Sequence, residues 1–445
     1  MIFFSVVMVA IFLLIVIYLR LRTLNTPVVY YIVWWCAWTL ISQFNFMGLY
    51  HVSATTYAAV TLKVSMFTAG YLAVSRKTTS TSVQPVSVQR SLSLSKHVLW
   101  FQWVLLAILV FYLRRYYSVI AQLTVWDLRN ARFDVGGLFS SGIEAMIYNY
   151  FVTAWVYFFL LMVISEYLIT RRLRPVGVLS IANVVLYSLI GYGRLVYFDA
   201  GIFLAVGGLL FARQYRGTTL LKSPRAHSTR YRGLIVYAVG IVGGIAMSGY
   251  LTASRLGHVD WFTGILVMLE QGLIYFTGPF RALDVYFFAY ADQLTFQLGR
   301  ATFAGLDEPL SLVLRLLGLD IVPNNFLVGP ITREPIRIGF GDNASFNAFY
   351  TSILNYHMDF GLAGIAVFSF LYGVAVSTAY NRFVRYPNTL SLMLVLFMVQ
   401  TSIFSLLRWS FQNPSSWIIL VMIGLARYFH SDRLPWLEKH NNRRL

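Results

Sequence analysis

The chain has 445 residues, 58% of them hydrophobic and only 12% charged, with a mean hydropathy of +0.66, which excludes a soluble globular domain. Its formal charge is +18, but the basic residues stand in short loops between apolar runs, and that placement excludes a nucleic-acid partner. Its single cysteine, Cys36, lies inside an apolar run and excludes a disulfide framework and a thiolate metal cluster.

Apolar runs of about 20 residues, the length that crosses a bilayer, recur from end to end. They predict spans at 2–19, 27–48, 55–74, 97–116, 143–169, 176–192, 197–212, 233–250, 357–378, 388–408 and 414–428, about eleven in all. The first begins at Met1 with no basic leader and no small-residue cleavage site, so it reads as a retained span. With the N-terminus outside, RLR at 20–22, the Ser/Thr-rich linker 75–97, RRLR at 171–174, the loop 213–232, NRFVR at 381–385 and the C-terminal tail all become cytoplasmic. Those segments hold 22 of the 35 Lys and Arg and three of the 17 acids, against 12 arginines and 14 acids outside. This is the positive-inside pattern of a multi-pass cell-membrane protein. The expected architecture is all-α, a single membrane domain over 1–445 with its C-terminus in the cytoplasm.

Lys63 (VTLKVSM) falls in the middle of the third span. An intramembrane charge is a functional candidate, and its stem also allows it to snorkel. Two outer segments are long, 114–142 and 251–356. Within the second, WFTGILVMLEQGLIYFTGPFRALDVYFFAY at 261–290 is interrupted by Glu270, Gly278–Pro279 and Arg281. It predicts broken helices at, or dipping into, the membrane interface. A hairpin crossing twice would leave the topology unchanged.

Every outer basic residue is an arginine, the side chain suited to bidentate phosphate recognition. Arg194 (GYGRL), Arg255 (TASRLGH), Arg281 and Arg408 (SLLRWS) fall at span ends or in apolar surroundings. Singly, each reads as a snorkeling arginine, as do Arg114 and Arg115. Together at one depth they would repel unless an anion lay between them, and lipid-linked pyrophosphate is the anion available there. RNARF at 129–133 adds Arg129, and TREPIR at 332–337 adds Arg333 and Arg337. Local pairing with Asp127, Asp134 or Glu334 is the competing reading of these loops. The acid–base candidates are His258, Glu334, Asp342, His357 and Asp359. Trp126, Tyr275, Phe340 and Tyr350 are placed to stack on sugar rings, or belong to an interfacial belt. No P-loop occurs, and GYG at 191–193 is too short to cradle a phosphate, so no nucleotide cofactor is expected.

The run NAFYTSILNYHMDFGLAGIAVFSFLYGV at 347–374 resembles the oligosaccharide repeat-unit polymerases, the Wzy-type polymerases of O-antigen and capsular polysaccharide. The resemblance rests on Asn347, Tyr350, Thr351, Tyr356, Asp359, Phe360, Gly361, Gly364 and Gly373. Gly193–Arg194, Ser254–Arg255 and YFTGPFRAL at 275–283 add to it. Tyr356–His357 stands where the family has an aromatic pair. The related O-antigen ligases place a histidine beside the asparagine, where this chain has Phe346.

The resemblance implies a GT-C-like glycosyltransferase of the bacterial inner membrane. It would transfer a growing glycan from undecaprenyl pyrophosphate to the non-reducing end of a new lipid-linked repeat unit, on the outer face, without nucleotide sugar or metal. Arg194 and Arg255 would hold the donor pyrophosphate. Arg281, Arg333 and Arg337 would complete the cage or the glycan groove, and His258, His357 or a loop carboxylate would activate the acceptor hydroxyl. A flippase and a chain-length regulator are the implied protein partners. An O-antigen ligase and a lipid-linked oligosaccharide transporter are the rival readings.

Overall fold

A computed structural model describes residues 2–75, 96–120, 138–170, 172–191, 195–214, 260–291, 295–324, 335–340, 345–347 and 350–431, with the isolated positions 243, 246 and 249. The described chain is almost wholly helical. Four of its helices are long and apolar enough to cross a membrane: Ala54–Val74, His97–Ser118, Gly142–Thr170 and Ser352–Arg385. Six shorter apolar helices accompany them, at Val6–Leu21, Pro27–Ser42, Pro175–Ile190, Leu195–Leu210, Thr389–Phe404 and Pro414–Arg427. These ten coincide with ten of the predicted runs and mark the chain as a membrane protein. The run at 233–250 falls almost entirely outside the described residues.

Two compact units make up the chain. The first comprises Met1–Val83, Ile265–Arg385 and Met398–Pro414. It contains α1 (Ile2–Leu21), α2 (Pro27–Ser42) and α3 (Ala54–Val74), and the larger part of α9 (Trp261–Ala289). It also contains α10 (Ala304–Leu316), a two-stranded ribbon of β1 (Pro335–Arg337) and β2 (Ser345–Asn347), and α11 (Ser352–Arg385). The core is the packing of α3 along α11. Glycine makes that approach possible: a Cβ on Gly70 would lie 2.0 Å from the Phe370 carbonyl oxygen, and one on Gly373 would lie 2.1 Å from that of Phe67. Small residues that admit a backbone are how helices associate in lipid, where apolar burial supplies no drive. The ring of Phe67 fills the space alongside, stacked on Tyr31 at 3.9 Å and tilted against Tyr372 at 5.9 Å.

The second unit comprises Gln84–Gly264, Tyr386–Phe397 and Ser415–Leu445. It is built on α4 (Lys96–Ile120), α5 (Gly142–Ile147), α6 (Thr153–Thr170), α7 (Pro175–Gly191) and α8 (Leu195–Gln214). A π-helical turn at Tyr148–Val152 joins α5 to α6. Helix α6 is buried over most of its length, against α7 and α8. A polar seam joins α4 to α7: buried Gln102 bonds Ser180, and Asn183 donates to the Gln102 amide oxygen at 2.6 Å. At the other end of α4, Arg115 pairs with Glu144 at 3.0 Å, a partner rather than the snorkeling expected of it.

One expectation fails outright. The stretch 261–290 is not broken: α9 runs through Gly278–Pro279 without interruption. None of Glu270, Gly278–Pro279 and Arg281 interrupts it. Gly278 seats the Phe346 ring, which a Cβ would meet at 2.7 Å, so the glycine serves close packing. Arg281 is buried but not bare, because backbone carbonyls take up its guanidinium.

The real break lies elsewhere. Phe360 (φ −150°, ψ 26°) and Gly361 (φ 60°, ψ −143°) leave helical geometry inside α11 and divide it into a short segment, 352–359, and a long one from Leu362. The Gly361 conformation is one that essentially only glycine adopts. Past the break, Gly364 lies so close to the Tyr356 carbonyl oxygen that a Cβ would meet it at 2.0 Å. The short segment therefore folds tightly against the start of the long one.

Candidate functional site

The short segment of α11 carries His357, and its surroundings are the first unit's polar centre. The Nδ1 atom of His357 is 3.1 Å from the Tyr286 hydroxyl, and the ring stands edge-on to Phe287 at 5.0 Å and to Tyr286 at 5.7 Å. Tyr286 is fully buried, whereas His357 is only half-buried. Among the described residues nothing bonds Nε2. If Nδ1–H donates to the phenol oxygen, Nε2 carries the lone pair, and the imidazole is a fixed proton acceptor of the kind general-base catalysis uses. Tyr350, at the head of the same segment, is itself buried. Burial, and then the neighbouring Tyr290 phenol, push its pKa well above the ordinary tyrosine range. Its ring face is closed to a sugar. Phe340, 76% exposed and edge-on to Tyr50 at 4.8 Å, is the more open aromatic.

Asp359 lies two residues beyond His357 and has no chemical freedom. It is 0% exposed, and its two oxygens accept from the Ala301 and Thr302 backbone N–H groups at 2.9 and 2.7 Å. Asn355 donates to the Ala301 carbonyl at 3.0 Å, and the Gln297 N–H donates to the Met358 carbonyl at 2.9 Å. The indole of Trp409 closes the cluster on the Thr302 carbonyl at 2.6 Å. Asp-Phe-Gly in this chain is thus a staple followed by a hinge: the carboxylate holds the 297–303 turn, and the glycine permits the break. Asp359 is corrected from acid–base candidate to structural anchor.

Arg281 is corrected likewise. It is 2% exposed; Nε donates to the Tyr50 carbonyl at 2.7 Å, one terminal nitrogen to Thr277 at 3.0 Å, and the other to Ser42 at 3.0 Å and Asn45 Oδ1 at 3.4 Å. A guanidinium so engaged has no fork left for a pyrophosphate. One turn on, Asp284 takes the Ser53 N–H at 3.1 Å, the Ser53 hydroxyl and the Thr56 hydroxyl at 2.8 Å. It caps the N-terminus of α3, where a negative charge is favoured. Arginine and aspartate on α9 thus clamp the 42–56 segment.

Arg337 is exposed on β1 and donates to the Gly339 and Phe340 carbonyls at 3.2 and 3.3 Å, which leaves N–H groups toward solvent. The ribbon that carries it is held to the same segment: Tyr50 N–H donates to Ile338 at 2.9 Å and Phe340 N–H to Gly48 at 3.0 Å.

Lys63 is 3% exposed. Its ammonium bonds the hydroxyls of Ser352 and Ser405, the latter at 3.1 Å, and lies 3.8 Å from the centre of the Trp35 ring and 5.9 Å from that of Tyr356. It does not snorkel. Its place is under the first residue of the segment that bears His357.

Of the other predicted residues, Arg129, Arg194, Arg255, His258, Arg333, Glu334 and Asp342 lie outside the described residues. Among the described residues no group of three or more His, Cys, Asp or Glu is arranged to hold a metal ion. The residue that sequence reasoning missed is Tyr286. One tyrosine among 29, in a chain with 35 phenylalanines, carries no signal that separates a histidine partner from an interfacial ring. No family model, curated protein or solved structure matches this chain.

Proposed function

We propose that the chain is a membrane-embedded glycosyltransferase that polymerises undecaprenyl-pyrophosphate-linked oligosaccharide repeat units into O-antigen or capsular polysaccharide. The observation that carries this reading is the half-open imidazole of His357, fixed at Nδ1 by buried Tyr286, in the segment whose sequence resembles the repeat-unit polymerases. The one-sided gathering of basic loops supports a transfer on the outer face of the bacterial inner membrane, in a chain of about eleven spans with a GT-C-like architecture.

In this proposal His357 Nε2 takes the proton from a hydroxyl at the non-reducing end of the acceptor repeat unit. The oxygen forms a bond to the anomeric carbon of the donor glycan while the bond from that carbon to the pyrophosphate oxygen breaks. The configuration inverts, and undecaprenyl pyrophosphate departs with the electron pair. Tyr286 is a positioning residue: it holds the ring, and in this proposal it accepts from Nδ1–H, which leaves the lone pair on Nε2. Arg194 and Arg255 are proposed to stabilise the charge that develops on the leaving group, with Arg129, Arg333 and the solvent-facing N–H groups of Arg337 as further anion or glycan contacts. His258, Glu334 and Asp342 are the competing bases. A flippase that delivers the substrate and a regulator of chain length are the proposed partners.

The test uses the full chain, purified and supplied with the host's lipid-linked repeat unit and a chelator, with no nucleotide. A ladder of products that disappears with His357→Ala and persists with His258→Ala supports the reading. A ladder unaffected by His357→Ala moves the base elsewhere. No ladder from folded protein given its cognate lipid defeats the polymerase, and the same preparation is then assayed for glycan transfer to lipid A–core and for transbilayer movement of the lipid.

A further inference from the structure

Helix α10 is amphipathic, but the wrong way round for a helix in water. A soluble helix turns its apolar stripe to the protein and its polar face to solvent. Here Ala304, Asp307 and Ser311 recur at i, i+3 and i+7 on one face. Ala304 and Ser311 are buried, and Asp307 is held by Arg300 at 2.7 Å and by the Asn324 N–H at 2.7 Å. The neighbouring Gly305 sits so close to the backbone of Phe411 and Asn413 that a Cβ would meet it at 2.6 Å. The opposite face carries Leu306, Leu310, Val313 and Leu317, at i, i+4, i+7 and i+11, with Leu316 beside them, and all five are exposed. An exposed apolar face of this size is the mark of a surface that meets protein or membrane.

The occupant is identified by what the face continues into. Phe303, at the head of α10, packs edge-on against Phe368 of the long segment of α11 at 5.9 Å. That segment exposes Val367 and Leu371 in the same manner, and it belongs to a helix long and apolar enough to cross a membrane. Arg315, exposed in the last turn beside Leu316 and Leu317, supplies a cation of the kind that pairs with lipid phosphates. We infer that α10 is a monotopic anchor, seated in one leaflet with Leu306, Leu310, Val313 and Leu317 against acyl chains and Arg315 at the headgroups. The inference stands apart from the proposed glycosyl transfer and needs only that the chain is a membrane protein.

The test is a depth measurement on the full chain in lipid nanodiscs. The one native cysteine is removed by Cys36→Ser, and an environment-sensitive fluorophore is attached through Val313→Cys or Leu310→Cys, with Asp320→Cys as the control. The expected result is a blue-shifted emission at 313 and 310 that loses most of its intensity when the lipid carries a spin label high on the acyl chain, and less when the label is at the chain end. The probe at 320 keeps a water-like emission and is not quenched. Water-like emission at both 310 and 313 overturns the inference. So does a blue-shifted emission that lipid-borne quenchers leave untouched, because the cover is then protein, a second copy or another chain. Two labelled positions one turn apart guard against a single variant that misfolds.

Discussion

Replacing Asp359 separates structure from chemistry in the segment that resembles the polymerases. Its two carboxylate oxygens receive the Ala301 and Thr302 N–H groups at 2.9 and 2.7 Å in a fully buried setting. Asp359→Ala strands both donors, and a buried donor left without an acceptor costs about 1–3 kcal/mol. The expected loss is therefore about 2–6 kcal/mol, a large share of the roughly 5–15 kcal/mol of an ordinary domain. Asp359→Asn keeps one acceptor oxygen but turns an amide N–H₂ on the second donor, so its loss should fall at about half of that. The measurement is the midpoint of thermal or denaturant unfolding in one detergent, taken beside product formation per folded molecule. A carboxylate that anchors a turn predicts that Asn lowers the midpoint while the surviving folded fraction still works. An Asn variant with an unchanged midpoint and no activity would refute the reasoning and return Asp359 to the list of proton acceptors.

Four further outcomes follow from contacts of the same kind. His357→Ala should lower turnover by roughly 10²–10⁴-fold, the usual contribution of a positioned base. Tyr286→Phe removes the Nδ1 partner alone; it should cost less and shift the pH profile of the rate, which loss of packing would not do. Arg281→Lys replaces a fork that serves Tyr50, Thr277 and Ser42 by a single ammonium. It should lower the unfolding midpoint by an amount equivalent to about 1–3 kcal/mol per carbonyl left bare, with an unchanged KM for the lipid donor; a raised KM at an unchanged midpoint would restore it as a ligand. Gly373→Leu puts a side chain where a Cβ already meets the Phe67 carbonyl at 2.1 Å, so α3 and α11 must part. Loss of the folded peak in size-exclusion chromatography is expected, and a variant as stable as the parent would mean that the helices do not cross there.

The membrane class was legible because it rests on composition and run length, which no tertiary contact can reverse. Ten of the expected runs have their helices for the same reason. The charged and glycine positions were less legible, since a single letter does not say where a side chain's hydrogen bonds end. By depth alone Arg281 reads as a cation in want of an anion, but carbonyls of Ser42 and Tyr50, over 230 positions away, satisfy it. By residue type Gly278–Pro279 reads as a helix break, while the chain breaks at Gly361, where φ is positive and the sequence shows only one more glycine. The inverted face of α10 was readable as a leucine period, but not as inverted, because burial decides which face looks inward.

A lysine in a membrane helix, such as Lys63, invites a search for the acid that neutralises it, and the structure answers with neutral groups: the hydroxyls of Ser352 and Ser405 and the faces of Trp35 and Tyr356. A ring face over a desolvated ammonium is worth about 2 kcal/mol or more, and hydrogen bonds from a charged donor about 1.5–3 kcal/mol each. They act against the several kcal/mol that desolvation costs and offset part of it. Such a cage stabilises a cation without attracting a second charge. It also has a location: Ser352 is the first residue of the segment that ends in His357 and Asp359, and the Ser352 N–H donates to the Ser405 carbonyl at 2.8 Å. The segment is held at its start by Lys63 and at its end by the Asp359 staple, with the half-open imidazole between two fixed points. The base proposed for His357 would have to meet a hydroxyl at hydrogen-bond distance, and constraint on both sides is what such a role requires.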